Sequence, residues 1–319
     1  MLLGGHKAFL RLGVAVLPNH FYSSVPDLNE LAASRPGWAR KSLLPGLSVD
    51  IEEQLCHLRE ICLPYESEYR GNRHYLTAME RNYGLGFGYV EAQALHSVIR
   101  HYAPRKIVEV GSGISTYCML QAAKVNEANG RLPCAITCIE PYPSPWLRQA
   151  PTQLLQQKVQ TVPLDLFLSL EPNDLLFIDS SHAVKTGSDV VFLVLEVLPR
   201  LRPGVVIHIH DIFLPFDYSP NKMQSFFDWQ ETVLIHAFLI GNLGVRVVFC
   251  LSQLHEERPE DLAKVFPEYR PIGLSSGLYP SYQNTPEQCG AHFPSSLFLQ
   301  IQHRVGACGH NQKPMGMAW

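Results

Sequence analysis

The sequence predicts an α/β protein built on a doubly wound parallel sheet. From residue 86 onward, short apolar runs alternate with segments that have helical length and helical spacing. The runs are almost continuously apolar, which is typical of strands buried on both faces, and the first of them leads directly into a glycine turn and a helix. Such alternation indicates a sheet covered by helices on both sides. The predicted strands are Lys106–Val110, Ala135–Ile139, Lys158–Val162, Asp174–Ile178, Gly204–Ile209, Val245–Leu251 and Ser296–Gln302.

The pattern divides the chain into an extension, a main domain and a tail. Residues 1–85 are irregular and interrupted by prolines, so we expect an N-terminal extension that packs on the core. Residues 86–303 hold the alternating pattern, and residues 304–319 are expected to form a flexible tail. Helical spacing predicts helices at Ile51–Leu63, Tyr89–His101, Ser115–Asn129, Thr186–Leu201 and Lys222–Ile240.

Composition excludes several classes of protein. The 319 residues include 26 Lys and Arg against 29 Asp and Glu, so the chain lacks the basic stripe that a nucleic-acid partner requires. No apolar run approaches the ~20 residues of a membrane span. Eight cysteines without framework spacing, and an N-terminal apolar run broken by Lys7 and Arg11, predict a cytoplasmic protein without disulfides. The low charge and the proline-rich N-terminal arm predict a homodimer.

The turn after the first predicted strand has the features of a cofactor site. Gly111 and Gly113 allow a ligand to approach the backbone at the N-terminus of a helix. Thr116 stands where a dinucleotide fingerprint has its third glycine, which weighs against a nicotinamide cofactor. Glu109 lies inside an apolar strand, where an acid is costly to bury unless donors or a cation meet it. It either supports a loop that faces a positively charged ligand or is a structural carboxylate.

Glu140 follows the second predicted strand. An acid at that strand end can accept hydrogen bonds from both hydroxyls of a ribose. Taken alone it could also be a solvated loop residue. Together with the glycine turn one strand earlier, it predicts a ribose contact.

Four segments together resemble the class I S-adenosylmethionine-dependent methyltransferases. They are VEVGSG at 108–113, CIEP at 138–141, DLLFIDSSH at 174–182 and LRPGVVIHIHD at 201–211. The sequence resembles in particular the bacterial methyltransferase domain 24 family. That family has a similar N-terminal lead, here Tyr22–Asp27, and a similar continuation, here Asp211–Asp217.

The resemblance implies a Rossmann-like sheet of seven strands in which the last strand is antiparallel. It also implies that the glycine turn cradles the methionine part of the cofactor, while Glu140 binds the ribose and Asp165 lies near the adenine. Asp179 lies beyond the fourth predicted strand. The expected cofactor-binding residues are therefore Glu109, Gly111, Ser112, Gly113, Glu140, Asp165 and Asp179.

Asp179 and Asp211 follow two strands that the resemblance makes neighbours. Their strand ends would lie about 4.7–4.9 Å apart, so either one carboxylate holds a proton or a cation lies between them. A hard divalent ion suits that gap, and the related catechol-type O-methyltransferases hold a metal at these strand ends. They have Asp-Asn at the second end, whereas this chain has His210-Asp211. Asp179 and Asp211 are the candidate ligands of Mg²⁺ or Mn²⁺, and a metal-free site is the alternative.

Three histidines lie near these acids. His208 is expected to be a hydrogen-bonded core residue, whereas His210, next to the strand end, either contacts a ligand or supports one. His182 is placed either to act as a general base on an acceptor hydroxyl or to cap a helix that begins near Lys185. The predicted catalytic residues are His182, His210 and Asp211.

The predicted function is methyl transfer from S-adenosylmethionine to a small acceptor, at a sugar or secondary-metabolite hydroxyl. Because the reaction is a direct displacement, the main task of the protein is to align the acceptor, the methyl group and the sulfonium leaving group. The positive charge of the sulfonium explains why acids, rather than lysines, are expected around the turn. Asp217 and Tyr218 are expected to line the acceptor entrance. Three alternatives remain: an NAD(P)-dependent oxidoreductase, a metal-dependent hydroxylase or hydrolase on the same sheet, and a non-catalytic cofactor-binding module.

Overall fold

A computed structural model describes residues 2–23, 25–84, 86–218, 228–270 and 293–303. The described strands are β1 Lys106–Val110, β2 Ala135–Ile139, β3 Gln153–Leu155, β4 Leu175–Ile178, β5 Val206–Ile209, β6 Val245–Cys250 and β7 Leu297–Ile301. The described α-helices are α1 Leu2–Arg11, α2 Leu28–Ala33, α3 Arg35–Trp38, α4 Ile51–Cys62, α5 Glu66–Tyr69, α6 Arg73–Glu80, α7 Tyr89–Tyr102, α8 Ile114–Ala128, α9 Leu164–Leu168, α10 Asp189–Phe192, α11 Glu231–Leu239, α12 Leu251–Glu257 and α13 Pro259–Val265.

The seven strands form one sheet in the order β3-β2-β1-β4-β5-β7-β6. The strands β1 to β5 are parallel, and β7 runs antiparallel between β5 and β6. The strand order reverses between β1 and β4, and sheets of this kind bind ligands beyond the carboxyl ends of the strands at such a point. The predicted Rossmann-like sheet with an antiparallel last strand is confirmed.

The third predicted strand is wrong. Lys158–Val162 contains a 3₁₀ turn at Val159–Thr161, and the third strand is Gln153–Leu155. Val159 and Val162 are buried, so the apolar run does reach the core, but as a turn before Pro163. The true strand has three residues at the edge of the sheet and is only partly buried. It therefore carries no apolar run that could predict it.

Two predicted helices differ from the observed ones. The helix predicted at Thr186–Leu201 begins only at Asp189, with Ser188 as its cap, so His182 does not cap it. Helix α11 begins at Glu231, and the predicted residues 222–227 lie outside the described ranges. The predicted tail, residues 304–319, lies outside them as well.

Each face of the sheet has its own hydrophobic core. Alternate strand residues point to opposite faces, so Ile107 and Phe177 belong to one cluster of buried side chains and Val108 and Leu176 to the other. The first cluster also includes Leu58 of α4. Part of the N-terminal extension is therefore built into the core of the protein.

Hydrogen bonds also attach the extension to the sheet. The side chain of Gln54 accepts the backbone N–H of Cys250 at 2.8 Å and donates to the side chain of Gln253 at 3.0 Å. The backbone N–H of Ser42 donates to the carbonyl of Pro215 at 2.8 Å, in the segment after β5. None of the described helices is long and apolar enough to cross a membrane.

Candidate active site

The glycine turn packs the end of β1 against the end of β4. Gly111 has a φ of +89°, a left-handed conformation that favours glycine. A Cβ at this position would overlap the carbonyl oxygen of Asp179. The N–H of Asp179 donates to the carbonyl of Val110 at 2.9 Å, and the N–H of Gly111 donates to that of Ile139 at 3.1 Å. The turn therefore fixes the ends of β1, β2 and β4 relative to one another.

Glu109 lies beneath this turn. Its buried carboxylate accepts hydrogen bonds from the hydroxyls of Ser115 and Thr116, both at 2.7 Å, and from the thiol of Cys138 at 3.2 Å. Thr116 in turn accepts the N–H of Gly113 at 3.0 Å. Burial raises the pKa of Glu109 to about 7. This acid supports the loop through Thr116, the residue that replaces the third glycine of a dinucleotide site.

A cavity of about 660 Å³ opens beyond the turn. Gly111, Glu140 and Asp179 line it. The carboxylate of Glu140 accepts hydrogen bonds from the hydroxyl of Ser112 at 3.1 Å and from the N–H of Tyr142 at 2.8 Å. The cavity thus has one acid at the end of β2 and another at the end of β4, on either side of the glycine turn.

Asp165, the predicted adenine contact, is not one of the residues that line this cavity. It belongs to the first turn of α9, whereas the cavity wall on this side is formed by Lys158, Val159 and Gln160 in the turn before that helix. The difference follows from the misplaced third strand, because the contact was expected just beyond the end of that strand.

Two aspartates and two histidines meet beyond the carboxyl ends of β4 and β5. Nε2 of His182 lies 3.3 Å from Oδ1 of Asp179 and 3.5 Å from Oδ2 of Asp211. Nδ1 of His210 lies 3.6 Å from each of the same two oxygens. The two carboxylates are therefore bridged by two imidazole rings.

Each imidazole has a further carboxylate behind it. Nδ1 of His182 lies 2.8 Å from Oε2 of Glu231, and Nε2 of His210 lies 3.3 Å from Oε2 of Glu91. Both glutamates are buried. We call the six side chains together the carboxylate–imidazole cluster: Glu91, Asp179, His182, His210, Asp211 and Glu231.

Neither glutamate of this cluster was a predicted site residue. Glu91 belongs to α7, which precedes the sheet, and Glu231 is the first residue of α11. Both are far in sequence from the strand ends where they act. An acid among the apolar residues of α7 was the one available signal for Glu91.

Backbone contacts fix the position of His182. Its φ is +56°, a left-handed value that costs a non-glycine residue about 1–3 kcal/mol and persists only where the surroundings impose it. Its carbonyl accepts the N–H groups of Gln230 at 2.9 Å and of Glu231 at 3.2 Å. Asp211 has the same φ, and its Oδ1 accepts the hydroxyl of Ser295 at 2.9 Å.

The charges of the cluster depend on one another. Burial opposes a charge on His182, but its hydrogen bonds to Asp179 and Glu231 outweigh burial and raise its pKa to about 10. The carboxylates around His210 likewise outweigh burial and raise its pKa well above the usual value. Burial alone would raise the pKa of Asp179, but the two imidazoles lower it. These directions favour protonated imidazoles and an ionised Asp179 at neutral pH, while burial raises the pKa of Glu231.

His208 is a core histidine, as the sequence predicted. Its ring stacks on Phe298 with centroids 4.4 Å apart, and Nε2 lies 2.7 Å from the hydroxyl of Ser296. Burial lowers its pKa to about 3, so the ring is neutral.

The metal predicted at Asp179 and Asp211 is not supported. In the part of the chain that the structure describes, no group of three or more His, Cys, Asp or Glu side chains could hold a metal ion. The rings of His182 and His210 lie between the two carboxylates instead. Once protonated, they supply the positive charge that two adjacent acids require.

Comparison with known proteins identifies the family. The family model described as a methyltransferase domain matches residues 108–212, which run from β1 to the end of β5 and carry the glycine turn. An uncharacterised protein of Archaeoglobus fulgidus is 34% identical over 185 residues, which cover 54% of this chain and 81% of that protein. The chain belongs to the class I S-adenosylmethionine-dependent methyltransferases. Membership of this family weighs against the oxidoreductase, hydrolase and non-catalytic alternatives.

Several solved structures are similar to the methyltransferase. An O-methyltransferase of Bacillus cereus in complex with S-adenosylhomocysteine is 12% identical, with a TM-score of 0.39, and the match covers 77% of this chain and 96% of that chain. A Podospora anserina methyltransferase bound to S-adenosylhomocysteine is 12% identical, with a TM-score of 0.34, and the match covers 73% of this chain and 93% of that chain.

Proposed function

We propose that the methyltransferase transfers a methyl group to a hydroxyl oxygen of a small acceptor. The observation that carries this proposal is the position of Asp179. Its side chain is 28% exposed, lines the cavity at the glycine turn and contacts both imidazoles of the cluster. A cofactor held at the turn and an acceptor held at the cluster would meet at this one carboxylate.

The glycine turn and Glu140 form the cofactor side of the site. When bound, S-adenosylmethionine supplies a methyl group whose bond to a positively charged sulfur breaks as its bond to the acceptor oxygen forms. Glu140 would accept hydrogen bonds from the ribose hydroxyls of the bound cofactor. The ionised Asp179 faces the same cavity and favours a positively charged ligand over a neutral one.

We propose that Asp179 accepts the proton that the acceptor hydroxyl loses. A hydroxyl oxygen that gains a methyl group becomes strongly acidic, so a carboxylate of low pKa can accept its proton. The protonated His182 and His210 cannot accept it, and they hold Asp179 ionised and oriented. The general base predicted at one of these histidines stays a prediction, which this charge state does not favour. Asp211 positions both imidazoles from the opposite side.

Asp179→Asn tests this assignment. The variant should lose methyl transfer by about 10²–10⁴-fold, the usual contribution of a proton-accepting group, while its affinity for S-adenosylmethionine changes little. Transfer of a labelled methyl group to a panel of sugars, catechols and amines measures the rate, and calorimetry measures cofactor affinity. Asp261→Asn, an acid of α13 outside the cluster, is the matched control. Wild-type transfer by Asp179→Asn, or methylation of amines alone, would contradict the proposal.

A divalent cation at Asp179 and Asp211 is the second candidate. One observation favours it: Nδ1 of His210 is buried and has no hydrogen-bond partner among the described residues. Imidazole nitrogens and carboxylate oxygens are also common ligands of divalent metals. Excess chelator separates the two candidates. Our proposal predicts unchanged transfer, whereas loss of transfer that magnesium or manganese restores would favour the cation.

A further inference from the structure

The N-terminal end of the extension exposes apolar side chains to solvent. Residues 5–22, which we call the N-terminal arm, include most of helix α1 and the stretch that follows it. The large apolar residues of the arm are each between 45% and 91% exposed, and they include Phe9, Leu10, Leu12, Val14, Leu17 and Phe21. An exposed apolar surface of this kind marks a contact with a partner protein or with a membrane.

The N-terminal arm is folded on itself and not into the body of the protein. The N–H of Val14 donates to the carbonyl of Phe9 at 3.1 Å, and Nδ1 of His6 lies 2.9 Å from the carbonyl oxygen of Val16. The stretch after α1 therefore runs back along the helix. Within the described ranges, no residue of the arm belongs to a hydrophobic core cluster. Its apolar side chains are thus available to a partner.

The charged side chains of the N-terminal arm are all positive. Lys7 and Arg11 are exposed and four residues apart, so they lie on the same side of α1. Phe9, midway between them in sequence, faces nearly the opposite side of the helix. Residues 1–26 contain no Asp or Glu, whereas the whole chain has 29 Asp and Glu against 26 Lys and Arg. The arm is therefore a cationic segment of an otherwise acidic chain.

This combination of charge and apolar surface suits a lipid bilayer. Helices with Lys or Arg on one side and Phe or Leu on the other lie in the surface of a membrane. Their apolar side chains enter the boundary between headgroups and acyl chains, while their cations meet anionic headgroups. A lipid surface needs no groove that fits the arm, unlike a protein partner, and its negative charge matches Lys7 and Arg11.

We propose that the N-terminal arm binds the surface of a membrane that contains anionic lipids, and that it lies among the headgroups without crossing the bilayer. This binding goes beyond the proposed function, because no residue of the arm lines the cavity at the glycine turn or belongs to the carboxylate–imidazole cluster. The same surface repels the excess of acids in the rest of the chain. The arm is therefore the part of the protein that contacts the lipid.

Flotation of the full chain with vesicles tests the proposal. Vesicles of phosphatidylglycerol and phosphatidylcholine in equal parts should bind the protein, and added salt should weaken this binding. Vesicles of phosphatidylcholine alone should bind at least tenfold more weakly, because each Lys or Arg near an anionic surface contributes about fivefold. No binding to the anionic vesicles, or equal binding to the two compositions, would overturn the proposal.

Substitution of the two cations locates the contact in the arm. Lys7→Gln combined with Arg11→Gln should weaken binding to the anionic vesicles at least tenfold. The matched control is Arg202→Gln combined with Lys264→Gln, which removes two exposed cations from the body of the protein. The control should bind like the wild type. Equal loss of binding in the two double variants would overturn the proposal.

Substitution of an exposed leucine tests the apolar part of the contact. Leu12→Ser should weaken binding to the anionic vesicles at least threefold, because less apolar surface enters the bilayer. Leu43→Ser is the control, since Leu43 is 97% exposed but lies outside the arm. Light scattering without vesicles should give the same mass for the wild type and for Leu12→Ser. A mass of two chains that falls to one in Leu12→Ser would overturn the proposal, because the arm would then join two copies of the chain.

Discussion

The two sides of the active site are built in different ways. The cofactor side consists of one short stretch of chain, the glycine turn between β1 and α8, together with Glu140 at the end of the next strand. The proposed acceptor side consists of titratable side chains brought together from four separate segments, including Glu91 of α7 and Glu231 of α11. Backbone hydrogen bonds position the cofactor side, whereas attraction between imidazoles and carboxylates positions the acceptor side. Substitutions on one side should therefore change cofactor affinity, and substitutions on the other should change the rate.

Gly111→Ala should have the largest effect, because Gly111 of the glycine turn packs directly against Asp179 of the cluster. The added Cβ would overlap the carbonyl of Asp179 in a left-handed backbone, and strain and overpacking each cost about 1–3 kcal/mol. We expect loss of cofactor binding and a lower melting temperature, measured by calorimetry and thermal unfolding. Gly130→Ala is the matched control, since Gly130 has a φ of +78° but open space around it. Equal effects of the two substitutions would mean that backbone strain, and not the contact with Asp179, is responsible.

Asp211→Asn should affect the rate and spare the cofactor. The substitution removes a carboxylate that contacts both imidazoles, so we expect methyl transfer to fall by about 10²–10⁴-fold. Cofactor affinity should stay within a few-fold, because the glycine turn and Glu140 are unchanged. Rapid-quench transfer and calorimetry measure the two quantities. A parallel loss of both would show that the two sides do not act separately.

Glu140→Ala should have the converse effect. Removing hydrogen bonds to a charged group costs about 1.5–3 kcal/mol, so the affinity for S-adenosylmethionine should fall by roughly 10–150-fold. The rate at saturating cofactor should change little, since Glu140 is not part of the cluster. Calorimetry measures the affinity, with NAD as the control ligand that should give no saturable heat. Saturable NAD binding would contradict the cofactor assignment.

The last prediction concerns the pH dependence of stability. The pKa of His182 is raised from 6.5 to about 10 on folding, so its contribution is complete below pH 6.5 and is lost as the pH passes about 10. The free energy of unfolding should fall through this window by up to about 1.4 kcal/mol per pH unit. Urea denaturation of the wild type and of His182→Gln measures this slope, which should be shallower in the variant because His210 then contributes without His182. His20→Gln, a change at an exposed histidine, should keep it.

Local sequence predicted the glycine turn and the acids at the strand ends, but only part of the carboxylate–imidazole cluster. The glycine turn, Glu140 and the acids after β4 and β5 follow apolar strands whose signal is strong. Glu91 and Glu231 reach the site from helices far away in sequence, and only tertiary packing brings them there. The third strand was missed because it is a short edge strand, and the adenine contact expected of Asp165 stays a prediction. The homodimer stays a prediction.

The charge state of the two cluster histidines tests the account most directly. Ring-nitrogen NMR of ¹⁵N-labelled protein at neutral pH reports whether His182 and His210 are protonated, and it needs no acceptor. Elemental analysis of the same sample counts bound metal. The account predicts two imidazolium rings, spectra unchanged by chelator, and no stoichiometric metal. Neutral rings with one divalent metal per chain would contradict it, because the carboxylates would then be held together by a cation instead of by protonated imidazoles.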